Sequence, residues 1–77
     1  MTKVAKAMCK EMKDIKQKFL QAKKGSFNRE KFFKEFRDIR FTIYQLLYRD
    51  FITSKEANKI GEIWLQLKSN LEYEKNA

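Results

Sequence analysis

A chain of 77 residues with 18 Lys and Arg against 10 Asp and Glu carries a net charge of +8, and it has no histidine, no proline and one cysteine. Those absences exclude an intramolecular disulfide and the usual zinc ligand sets, and they remove the commonest general acid–base side chain. A domain this small buries only about 60% of its unfolded surface, so tight helix packing or self-association must supply the rest of its stability.

The first predicted element is a helix over about 2–24. Val4, Met8, Met12, Ile15, Phe19 and Ala22 recur at steps of three and four and fall on one side of a helix. Lys3, Lys6, Lys10 and Lys13 fall roughly opposite, and Lys24 joins them further along. Residues 1–24 hold eight lysines against Glu11 and Asp14, a net +6, whereas residues 25–50 carry +2 and residues 51–77 are balanced. This lysine face is the most specific candidate site. It can lie along a phosphate backbone, each neutralised phosphate releasing counterions; the bland alternative is a solvated face that keeps a small protein soluble. Lys23 and Lys24 suit the negative end of the helix dipole, and Gly25 is the expected stop. Cys9 sits at the edge of the apolar face among lysines, where packing is a commoner role than reactivity.

The segment Gly25-Ser26-Phe27-Asn28 connects to a second helix near 28–50, capped by Asn28 or Ser26, with Glu30 in its first turn. Phe32, Phe36, Ile39, Ile43 and Leu46 form one stripe; Phe33, Tyr44, Leu47 and Phe51 form another, and Phe41 and Tyr48 lie outside the first. Past Ile39 the helix is apolar over most of its circumference, which two neighbours cannot cover. A contiguous exposed apolar strip calls for a partner, most simply a two-fold copy. The expectation is a homodimer centred on Phe41, Tyr44 and Tyr48. Acidic residues along this helix sit three or four positions from cations, as Glu30 does from Lys34, and read as solvated helix-face partners.

A third helix is predicted near 54–73, with residues 74–77 fraying. Thr53 and Glu56 have capping-box spacing, and Ile52 and Ala57 occupy the positions of a hydrophobic staple. Ala57, Ile60, Trp64, Leu67 and Leu71 form the apolar stripe, and the small pair Ala57 and Gly61 would admit the close approach of another helix. The opening Thr53 to Gly61 resembles that of a helix-turn-helix, but Glu62 to Leu67 continue in helical register with no turn residues.

Together these elements predict an all-α fold, a single domain over 1–77 arranged as a three-helix antiparallel up-down bundle. Met12, Phe36, Ile43, Leu47 and Trp64 should be among its most buried side chains. No Gly-rich phosphate loop, catalytic pairing, cofactor site or metal site is legible, so a non-enzymatic binding protein is expected. The longest apolar runs are far too short for a membrane span and no signal-like core is visible, which points to the cytoplasm. Two functions fit. One is a nucleic-acid-associated regulator that contacts phosphates through Lys3, Lys6, Lys10, Lys13 and Lys24 with weak sequence preference, because the arginines that read bases best lie elsewhere. The other is a protein–protein adaptor, inhibitor or immunity-type accessory protein using the aromatic surface, of the kind phages and plasmids carry. A cationic helix lying on an anionic membrane suits the first helix alone, and the second helix needs that helix's apolar face as cover.

Overall fold

The computed structural model describes residues 1–76 as three helices, α1 (Lys3–Gln21), α2 (Phe27–Tyr48) and α3 (Ser54–Asn76), with no strand among the described residues. Each helix packs on both others. The start of α1 lies beside the start of α3, where the Thr2 N–H donates to Glu56. The start of α2 lies at the other end of the bundle, where Glu30 pairs with Lys75 of α3 and Arg29 reaches the end of α1.

The apolar periodicities become one core. Ala5, Met8, Met12, Ile15 and Phe19 come from α1, Phe36, Ile39 and Ile43 from α2, and Ala57, Ile60, Trp64 and Leu71 from α3; Ile52 enters from the connection before α3. No polar or charged residue is buried among them. The Trp64 indole N–H, brought inside with its ring, donates to the Phe36 carbonyl at 2.9 Å. The Trp64 ring stacks on Phe36, with centroids 6.1 Å apart. An unpartnered indole N–H would cost about 1–3 kcal/mol, so this bond fixes how α3 sits against α2. Leu47 is only half-buried, because it lines an open groove between α2 and α3 instead of the centre.

The helix ends depart from the periodic reading. α1 stops at Gln21, short of Lys24. Ala22 turns to extended backbone, and its N–H closes back onto the Lys18 and Phe19 carbonyls. Arg29 explains the early stop: its guanidinium donates to the Ala22 carbonyl at 3.2 Å and lies 4.3 Å from the centre of the Phe19 ring. Gly25, at φ +79, then sits in the connecting turn and does not cap the helix. Ser26 caps α2, accepting from the Arg29 N–H at 3.2 Å, and the helix begins one residue earlier than expected.

At its far end α2 closes with Asp50 at φ +61. The Phe51 N–H bonds the Leu46 carbonyl and the Asp50 N–H the Leu47 carbonyl, the two bonds of a Schellman motif with aspartate where glycine is usual. α3 persists through Asn76, beyond the fraying expected from residue 74, because Lys75 is held at 3.2 Å from Glu30 and 4.4 Å from the Phe33 ring centre. Of that expected tail, Ala77 lies outside the described residues. α3 is also unbroken across Gly61, so the sequence from Thr53 does not open a helix-turn-helix.

Candidate nucleic-acid interface

Lys3, Lys6, Lys10 and Lys13 all lie on α1 and all are exposed. The core face of α1 carries Met8, Met12 and Phe19, so the four lysines project from the side facing away from the bundle. Ten residues of helix separate the first lysine from the last, about 15 Å. Among the described residues none of the four is in an ion pair. Lys24 is not part of this row. It falls after the end of α1, in the turn before Gly25.

The aromatic residues expected at a protein interface also reach water: Phe41 is 72% exposed, Tyr44 55% and Tyr48 92%. They share the outward flank of α2. Beside them, between α2 and α3, runs a groove of about 390 Å³ with Ile43, Leu47, Ala57 and Trp64 in its lining. Arg40 and Glu62 bring one charge of each sign to the lining, and Leu65, 57% exposed, adds an apolar edge. Arg40 stands between two rings, 5.7 Å from the centres of both Tyr44 and Trp64. Gly61 opens onto free space, so of the small pair only Ala57 is packed into the core, and no helix of the chain closes onto Gly61.

A second basic surface escaped the periodic reading. Phe27, the first residue of α2, is 81% exposed and lies outside the buried core. With Lys31, Lys34 and Arg37 from α2 and Lys75 from α3 it lines a cleft of about 530 Å³, with Phe33 alongside. Glu30, the one acid in the cleft, is paired with Lys75 instead of Lys34. Its signal in the sequence is a phenylalanine followed by cations at steps of four, three and three, a spacing that an ordinary solvated helix face also shows.

At the opposite end, Glu56 forms the expected capping box. Its N–H donates to Thr53 Oγ1 at 3.1 Å, and its carboxylate accepts the Thr53 N–H at 3.0 Å. The second carboxylate oxygen accepts the Thr2 N–H at 2.7 Å, so one side chain serves the residues that precede two helices. The backbone bonds from Thr2 first, and Thr53 second, lower its pKa from 4.5 to about 2. Cys9 is half-buried against the core, as a packing residue would be.

No group of acidic or cysteine side chains among the described residues is placed to hold a metal ion. No helix among them is long and apolar enough to cross a membrane. Comparison with protein-family models, curated proteins and solved structures finds no match to this chain.

Proposed function

We propose that this chain is a non-enzymatic nucleic-acid-associated regulator that lays the lysine row of α1 along a phosphate backbone and works as a homodimer. The observation that carries the reading is the row itself: Lys3, Lys6, Lys10 and Lys13 on one outward helix face, none of them in an ion pair among the described residues. Four neutralised phosphates on duplex DNA give a slope of log K against log salt of about −3.6, a loss of affinity of about a hundredfold between 50 and 200 mM. Lysine reads charge better than base identity, so sequence preference is weak. The test is a salt titration of duplex binding with the wild type and with Lys6→Glu plus Lys10→Glu. The double reversal should abolish binding; no binding of the wild type to DNA or RNA at low salt overturns the reading.

The dimer rests on the aromatic flank. At about 200 Å² for a whole aromatic side chain, the exposed fractions of Phe41, Tyr44, Tyr48 and Leu65 amount to roughly 500 Å² of apolar surface. A stable interface takes about 800 Å² from each partner, some 65% of it apolar in homodimers, which is close to what this flank offers. Charge favours a second copy here and not on α1: Arg40 and Glu62 balance in the groove lining, so two copies of this flank do not repel as two lysine rows would. Gly61→Ala separates the two roles of the groove. With open space at the site, alanine should stabilise the monomer by about 0.5–1 kcal/mol while weakening a dimer that needs the notch. Sedimentation equilibrium at micromolar concentration decides the matter: a mass of 9.3 kDa, one chain, overturns the dimer. It would give the flank to a different protein, the adaptor or inhibitor reading.

A further inference from the structure

We infer that the cleft at the start of α2 takes an unpaired nucleotide, its base stacked on Phe27 and its phosphates held by Lys31, Lys34 and Arg37. The inference deepens the nucleic-acid reading, and rests on it, by naming single-stranded segments as a ligand of a second surface. Phe27 is the second most exposed of the large hydrophobic side chains, after Tyr48, and takes no part in the core. A ring kept in water at the mouth of a cleft offers a face on which any base stacks, independently of sequence.

The cleft walls supply the rest of a nucleotide site. Lys31, Lys34 and Arg37 follow one another at steps of three, so about 9 Å of helix carries three positive charges, within one Debye length (about 10 Å) at 0.1 M ionic strength. None of the three is in an ion pair among the described residues. The acid that would repel a phosphate, Glu30, is neutralised by Lys75 at 3.2 Å. Lys75 is in turn held over the Phe33 ring, 4.4 Å from its centre, so α3 closes one side of the cleft with a fixed cation. At about 530 Å³ the cleft is within the ~300–1,000 Å³ of small-molecule sites. A duplex cannot use it this way, because paired bases present no free face to Phe27. The lysine row of α1 would hold either kind of backbone, whereas this cleft discriminates in favour of single strands.

The experiment compares a fluorescently labelled oligothymidylate, a duplex of the same length and inorganic polyphosphate, by anisotropy at low salt. Phe27→Ala should bind the oligothymidylate about tenfold more weakly, with duplex and polyphosphate binding unchanged. Its salt slope should also be unchanged, since no charge is lost. Phe27→Tyr should keep wild-type affinity. Lys34→Gln with Arg37→Gln should lower the single-strand salt slope by about 1.4. Unchanged thermal unfolding of Phe27→Ala checks that the fold is intact. Wild-type affinity of Phe27→Ala for the oligothymidylate, or an equal loss for all three probes, overturns the inference. A single-strand affinity that responds to Phe27→Ala but not to Lys6→Glu with Lys10→Glu overturns the α1 reading and leaves the cleft standing. Failure to bind any of the three probes overturns both.

Discussion

The two ends of the bundle are held by opposite chemistry. Where α1 and α3 begin, a single carboxylate, Glu56, accepts backbone N–H groups from Thr2 and Thr53. Where α1 and α3 finish, cations do the fastening: Arg29 on the Ala22 carbonyl and the Phe19 ring, Lys75 on Glu30 and the Phe33 ring. The difference follows from the backbone. Unsatisfied N–H groups make a helix start partly positive and unsatisfied carbonyls make its finish partly negative, so an anion belongs at one end and cations at the other. The lesson is that parallel helices sharing an end can share a capping side chain.

Removing Arg29 should break the comparison most severely. Arg29→Ala loses a charged hydrogen bond, a cation–π contact and the packing of a half-buried stem, about 2 kcal/mol together. In a domain of this size that lowers the thermal midpoint by about 10 °C, readable by circular dichroism. A change of only a degree or two would mean that the end of α1 is held by something else.

Glu56→Gln should cost less at neutral pH and should change the acid response. The folded carboxyl titrates near 2 and the free one near 4.5, so its contribution is complete above 4.5 and disappears as pH falls toward 2. Wild type and variant should therefore differ most at neutral pH and converge across that window in urea unfolding. A constant gap down to the lower limit would exclude the double clamp. No comparable acid-dependent loss is expected from Arg29→Ala, since the guanidinium stays charged throughout.

The smallest effects come from the turns, one near each end, each with a left-handed residue: Gly25 and Asp50. Asp50→Gly should stabilise by about 1 kcal/mol, because aspartate at φ +61 carries a strain that glycine does not. Gly25→Ala should destabilise by a similar amount despite open space around the site. Chemical denaturation of both variants would show shifts of opposite sign; two shifts of the same sign would contradict the backbone argument.

Much of this architecture was legible from residue spacing. The apolar stripes of α1 and α3 mark the core, and Thr53 and Glu56 mark a helix start through a local rule with few competitors. Helix ends were less legible because they depend on distant residues. Arg29 ends α1 from the next helix, and Glu30 on α2 keeps Lys75 helical from 45 positions away. The lysine row could be placed by period alone, whereas Lys24 was counted with it only by extending a helix that stops at Gln21. The cleft at Phe27 was hidden for a related reason: one of its walls belongs to the end of α3, and no periodicity within α2 points there.

Trp64 gives the molecule a built-in optical reporter. It is the only tryptophan, nearly buried, stacked on Phe36 and hydrogen-bonded through its indole N–H, yet it also contributes to the lining of the groove between α2 and α3. Its emission should be blue-shifted in the folded protein and move to the red on unfolding. Closing the groove with a second copy should remove the remaining access of a quencher such as acrylamide. A dilution series followed by quenching would therefore register whether the groove is covered, without label or mutation.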